Sequence, residues 1–167
     1  MPAWSPLAQR TMRRLEQWLS LAPGERRLLL RLALLLPLIG AALRLLGYNR
    51  SRTLLERLSQ PSKRPIPPDP TAPTADTAQR IARLVSIAAN HGPYRATCLR
   101  QSLALWWLLR RRGIPAELRI GVRKEQGELQ AHAWVEHDGQ ALNDAQGVTA
   151  SYAAFQPSFP AATVSRA

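Results

Sequence analysis

The chain is expected to fold as an α+β domain, with helices packed on an antiparallel sheet and a helical segment in front of it. Two helical patterns, residues 76–91 and 97–112, are followed by three short alternating segments, 116–122, 129–136 and 140–144. Helices first and strands after, without the regular alternation of a parallel sheet, place the layers side by side. The apolar fraction, 46% of 167 residues, is that of a folded chain with one modest domain plus extensions. Six prolines between residues 61 and 73 separate that domain from what precedes it.

Residues 1–60 form a basic, leucine-rich helical region whose acids are Glu16, Glu25 and Glu56. Its central stretch, "ERRLLLRLALLLPLIGAALRLLG", carries eleven leucines and one isoleucine between Leu28 and Leu46, interrupted by Arg31, Pro37, Gly40 and Arg44. As a bilayer span it is marginal. The aliphatics contribute roughly −4 to −7 kcal/mol on the insertion scale, against about +2.5 to +3.5 for each arginine at mid-bilayer. The run without a charge, Leu32–Leu43, is also shorter than the ~20 residues a span needs. Leu28, Leu32, Leu35, Ile39, Ala42 and Leu46 instead make a heptad-like seam for packing on another helix. Leucines on the other faces call for burial all round, so docking on the rest of the protein or a partner is expected. Peripheral membrane contact through residues 28–46 is the second reading.

Residues 61–75 read as a stiff proline-rich linker, and residues 76–167 as the domain that carries the chemistry. "DTAQRIARLVSIAANHG" predicts a helix of about fourteen residues, capped by Asp76 or Thr77 and striped by Ile81, Leu84, Val85 and Ala88. Gly92 and Pro93 end it. The next helix begins after Thr97 as N-cap and runs to Arg112, with Gly113 as the residue that turns the chain out. "AELRIGV", "LQAHAWVE" and "QALND" are the strands. Beyond them the sequence predicts one short helix near Tyr152–Phe155 and a frayed tail.

A net charge of +12 points to an anionic partner, whether nucleic acid, lipid headgroups or an acidic peptide. Nucleic acid is the weakest of these. Trp106 and Trp107 lie in an apolar helical stripe, and the arginines at 110–112 sit at a helix C-terminus, where cations belong. A single cysteine excludes a disulfide framework and suits a reducing compartment; with no secretory pattern in residues 1–22, a cytoplasmic location is expected. No zinc-type Cys/His spacing and no phosphate-binding loop is present, so no cofactor or metal is expected.

The single thiol, Cys98, falls in the first turn of its helix, at the positive end of the macrodipole. That position favours thiolate, the nucleophilic form, although most free cysteines are simply small buried residues. A nucleophile needs a base. His91 lies at the end of the preceding helix, where a cationic ring suits the last carbonyls, and His137 falls in a turn, where exposure is expected. His132 lies inside a strand and is the candidate base.

The turn after it sets the geometry. A two-residue loop, Asp138-Gly139, places His132 opposite Ala145 and turns Asp144 to the other face. A three-residue loop, His137-Asp138-Gly139, places Trp134 opposite Leu142 and His132 opposite Asp144 on a common face. A one-residue slip thus separates a triad from none. Both loops are compatible with the sequence; the three-residue loop is the expectation because it gives His132 and Asp144 a shared purpose. Cys98 would then be nucleophile, His132 general base and acid, and Asp144 the group that fixes the imidazole tautomer. The Cys98 N–H is a natural oxyanion donor, and Trp134 would wall the site.

"CLRQSLALWWLLRRRGIPAELRIGVRK" followed by "AHAWVEHDGQALND" resembles the transglutaminase-like cysteine peptidases of lasso-peptide biosynthesis, the second half of the split B protein. The leucine-rich stretch is similar to that family's N-terminal helical region, so the resemblance covers most of residues 25–145. It implies a transglutaminase/papain-like core, with the family's Cys, His and Asp falling on Cys98, His132 and Asp144. It also implies removal of the leader from a ribosomally made precursor, usually beside a threonine at the leader's penultimate position, before a separate lasso cyclase closes the ring. Residues 1–60 show no strand pattern for the winged-helix module of fused members, so a separate winged-helix leader-recognition protein is implied as partner. Two rivals keep the same fold: a transglutaminase-like acyl transferase, in which an amine resolves the thioester, and a non-catalytic scaffold that binds precursor.

Overall fold

The computed structural model describes residues 21–59, 74–91, 96–125, 127–144 and 151–154. Residues 61–73 of the expected linker and the tail from Phe155 onward lie outside the described residues, while Thr74 and Ala75, expected in the linker, are helical.

Helix α1 spans Pro23–Leu58, with Pro23 where its missing N–H costs nothing and the Glu25 carboxylate accepting the Ala22 N–H at 3.0 Å. It is two helices end to end. Gly47, at φ 74° and ψ 175°, breaks the path, and the Ser51 hydroxyl takes the freed Gly47 carbonyl at 2.7 Å. Leu28, Leu32, Leu36 and Ile39 are buried at helical spacing and dock against α2 (Thr74–His91) and α3 (Cys98–Arg111). Each fully buried leucine contributes about 1.5–3 kcal/mol. Docking is observed, but the seam is corrected: Leu36 takes a buried place, Leu35 and Ala42 are half-buried, Leu46 is exposed, and one face only is used. Leu30, Leu34, Leu38 and Leu45 are 61%, 71%, 65% and 83% exposed.

Helix α2 starts at Thr74, ahead of the expected Asp76, which puts the Asp76 carboxylate in the first turn beside the helix's positive end. Its buried stripe contains Ile81, Leu84, Val85 and Ala88 as expected, joined by small residues that let α1 and α3 approach closely. Its Arg80 reaches Glu25 at 2.7 Å, and this hydrogen bond, foremost, holds the Glu25 carboxyl below its usual range.

Helix α3 begins and ends where the sequence places it. Thr97 has extended N-cap dihedrals, although its side chain makes no capping bond. At the other end Gly113, at φ 69°, lets its own N–H reach Arg110 O and the Ile114 N–H reach Leu109 O, both at 3.0 Å. Leu103, Trp106 and Leu109 point from α3 into the core, where Leu118 and Val135 of the sheet meet them.

The sheet has the order β3-β2-β1-β4, with β1 Glu117–Glu125, β2 Glu128–His137, β3 Gln140–Ala141 and β4 Ala153–Ala154. The β1 and β2 strands form a long antiparallel pair from Glu117↔Glu136 to Glu125↔Glu128. Three expectations are corrected. The β2–β3 turn is the two-residue form, with His137 opposite Gln140 and Glu136 opposite Ala141. Asp138 and Gly139 both have positive φ, 48° and 76°, the turn whose twist matches the strands it joins. His137 is buried, not exposed, because it closes β2 and its Nδ1–H donates to the Pro115 carbonyl at 2.6 Å. The segment at Tyr152 is a short edge strand on β1, not a helix; pairing Ala153 with Val122 satisfies backbone that a lone helical turn would leave to water.

Candidate active site

Alternation along β2 sends Ala133 and Val135 toward α3 and the core, and His132 and Trp134 to the opposite face. His132 is therefore not packed among the helices. It sits on the sheet's second face, next to the edge where β3 has already ended.

Asp144 meets it there. The His132 Nε2 lies 2.5 Å from Asp144 Oδ2, with the two side chains 23% and 18% exposed. The expected partners are thus together although the expected register is wrong. In the observed register a continued ladder would place Asp144 across from Ala133, on the helix-facing side. The chain instead leaves the ladder after Ala141, and residues Leu142–Asp144 bend back toward β2.

Polar side chains close the gap that this leaves. The Leu142 N–H still donates to Val135 O at 2.9 Å, but the reciprocal Val135 N–H goes to Asn143 Oδ1 at 2.8 Å. Asn143 Nδ2 donates to Ser102 Oγ at 2.9 Å, and that hydroxyl donates to Ala133 O at 2.8 Å. Neither Ser102 nor Asn143 was marked by the sequence; an Asn just after a strand and a Ser inside an apolar helix are both too common to signal a site.

Cys98 is the first residue of α3, half-buried, one helical turn before Ser102. It starts the helix whose Ser102 is bonded to the residue after His132. Among the described residues no hydrogen bond joins the thiol to the imidazole. Such bonds commonly tighten only when substrate is bound. With Nε2 facing Asp144, Nδ1 is the ring nitrogen turned away from the carboxylate.

An aromatic wall surrounds the ring. Trp134 stacks on it with centroids 6.1 Å apart, and Tyr152 lies tilted against it at 5.2 Å. The indole N–H donates to Glu136 Oε1 at 2.7 Å, and Arg119 Nε holds the other oxygen at 3.0 Å, which fixes the plane of the tryptophan. Gly121, opposite His132, makes room. A Cβ there would come 3.0 Å from Trp134, from the Tyr152 Cβ and from Ala153 O. Arg123 lies over Tyr152 at 4.9 Å. Tyr152 was out of reach of sequence reasoning because its position depends on β4 pairing with β1.

The other two histidines stand apart from this centre: His91 is exposed at the end of α2, and His137 is tied to Pro115. No group of three metal-ligating side chains is found among the described residues. A groove of about 440 Å³ between α1 and α3 is lined by Leu34, Leu38, Trp107, Arg31, Arg111 and Arg112, and none of the three candidate residues reaches it. Burial, with Arg31 and Arg111 nearby, pushes the Arg112 guanidinium below its ordinary range.

A sequence model of the Transglutaminase-like superfamily matches residues 39–157, a span that holds Cys98, His132 and Asp144. The Microcin J25-processing protein McjB of Escherichia coli is 41% identical over 61 residues. That match covers 36% of this chain and 28% of the length of McjB, so the chain aligns with a minor part of its relative. No solved structure matches the chain.

Proposed function

The chain belongs to the transglutaminase-like superfamily, and from that premise we propose that it is a cysteine peptidase that cuts the leader from a ribosomally made lasso-peptide precursor. The observation that carries the reading is the His132–Asp144 contact, made across a break in the sheet by a carboxylate that regular pairing would turn away. The partial likeness to a protein that processes microcin J25 supports the substrate class.

In this mechanism Cys98 Sγ attacks the scissile carbonyl carbon while its proton passes to His132 Nδ1. Asp144, on Nε2, holds the ring and balances the imidazolium. The Cys98 backbone N–H, at the start of α3, faces the developing oxyanion. His132 returns the proton to the leaving nitrogen as the C–N bond breaks, which frees the N-terminus of the core peptide. Water then resolves the thioester and restores the thiol, releasing the leader as a carboxylic acid. Trp134 and Tyr152 keep bulk water from the ring. The partners are the precursor, a separate winged-helix protein that presents the leader, and the lasso cyclase that takes the product.

Intact mass of a precursor incubated with this protein and the recognition partner tests the reading. Two fragments whose masses sum to the precursor plus one water are expected. A precursor carrying an added amine would make the protein an acyl transferase, and an unaltered precursor in a pathway that still needs the chain would make it a scaffold.

The proposal extends to location: cytoplasmic, with α1 resting on an anionic bilayer. Leu30, Leu34, Leu38 and Leu45 share one exposed face, while Glu25 and Glu56 are taken up by Arg80 and Arg52, so Arg27, Arg31 and Arg44 flank the apolar stripe. A helix whose other face builds the core lies on the surface rather than crossing it. Co-flotation with vesicles containing phosphatidylglycerol, but not with pure phosphatidylcholine, is expected, and Leu34→Ser with Leu38→Ser should abolish it. Unchanged partitioning of that variant would remove the bilayer from the account.

A further inference from the structure

We infer that Ser102 and Asn143 are positioning residues whose joined side chains replace the missing end of the β2–β3 ladder and so turn Asp144 onto His132, an inference that rests on the peptidase reading above. In the two-residue hairpin the pairs that exchange both backbone hydrogen bonds are His137↔Gln140, then Val135↔Leu142, then Ala133↔Asp144. Continued to the third pair, the ladder would bind Asp144 N–H to Ala133 O. It would also hold the Asp144 carboxylate on the face of Ala133, away from His132.

The structure abandons this ladder halfway through the second pair. Leu142 N–H keeps its bond to Val135 O, but the opposite bond is made by Asn143 Oδ1 in place of Leu142 O. At the third pair Ala133 O, which Asp144 would have taken, is occupied by the Ser102 hydroxyl. The two substitutes are bonded to each other, Asn143 Nδ2 to Ser102 Oγ. Every polar group in this chain of contacts has a partner, so leaving the ladder strands no buried donor or acceptor at Val135 N or Ala133 O.

Two consequences follow. Asp144 is released from the strand at the one point where its carboxylate can swing round the edge to Nε2. Ser102 is also fully buried and stands one turn after Cys98 on α3, so the helix that carries the nucleophile also holds the break that places the carboxylate. Relative placement of thiol, imidazole and carboxylate then depends on one hydroxyl and one amide that touch none of the reacting atoms.

The test uses the lone thiol as its own reporter and needs no identified substrate. The rate at which iodoacetamide alkylates Cys98 is followed by intact mass at about pH 6, below the ordinary cysteine range. Wild type is compared with His132→Ala, Asp144→Ala, Ser102→Ala, Ser102→Thr, Asn143→Ala and the Asn143→Ala/Asp144→Ala double variant, each checked by circular dichroism. Ser102→Ala and Asn143→Ala should slow alkylation about as much as Asp144→Ala does, by about ten- to a hundredfold. Ser102→Thr, which keeps the hydroxyl, should restore most of the rate. The double variant should be no slower than Asp144→Ala alone, since both changes remove the same contact. A residue that merely stabilises the fold would not show that non-additivity or the threonine rescue. If His132→Ala and Asp144→Ala slow the reaction but Asn143→Ala does not, or adds its full effect to Asp144→Ala, the positioning role is overturned. If His132→Ala leaves the rate unchanged, the peptidase reading itself fails.

Discussion

Replacing Cys98 with alanine should abolish leader removal. Cys98 is the single cysteine of the chain, so no neighbouring thiol can substitute, and loss of a nucleophile that acts with its base costs about 10⁶ in kcat. The side chain is small and half-buried, so the variant should keep its fold and its precursor binding. Precursor cleavage followed by intact mass, with binding measured alongside, checks both parts. Full binding with no cleavage is expected. Cleavage at the wild-type rate would remove the thiol from the mechanism, and with it the triad.

On the proposed mechanism, Asp144→Ala should cost less, but still about 10² to 10⁴ in kcat, with KM nearly unchanged, because its carboxylate is bonded to the His132 ring. Asp144→Asn should fall in the same range: the amide keeps the shape but removes the charge that balances the imidazolium. Both should leave the core intact, since Asp144 lies outside the apolar cluster of Trp106, Leu118 and Val135. Single-turnover cleavage at saturating precursor measures the effect directly. A loss confined to KM would mean that Asp144 contacts substrate rather than His132.

Much of this centre was legible in the residues. Cys98 at a helix start, followed by Gly113 at its end, needs only local signals. An apolar stripe and a glycine able to take positive φ are each settled within a few residues, and Thr97 takes cap dihedrals without a side-chain capping bond. The alternation of Leu118 with Glu117 and Arg119 likewise marks a strand that covers a core on one side. The pairing of His132 with Asp144 was also anticipated, but for a reason that the structure replaces. A shared face would need a three-residue turn, whereas Asp138 and Gly139 turn alone and the carboxylate arrives from a bend.

The difference between these cases is physical. Secondary structure and its caps follow from forces acting within about one turn or one strand, and so did the helix order, the strands and the place of Cys98 at a helix start. A strand's face, by contrast, changes with a single residue of loop, and two loops that differ by one residue have nearly the same local chemistry. With the observed loop, the groups that satisfy the broken ladder are distant in the chain: Ser102 on α3 and Asn143 after β3. The same holds for Tyr152, brought to His132 by a strand pairing far from it in the chain, and for α1, whose leucines look alike until α2 and α3 cover one side. Local sequence set most of the elements and put Cys98 at a helix start; tertiary contacts settled which faces meet, because only there do groups remote in the chain compete for the same hydrogen bonds and the same buried surface.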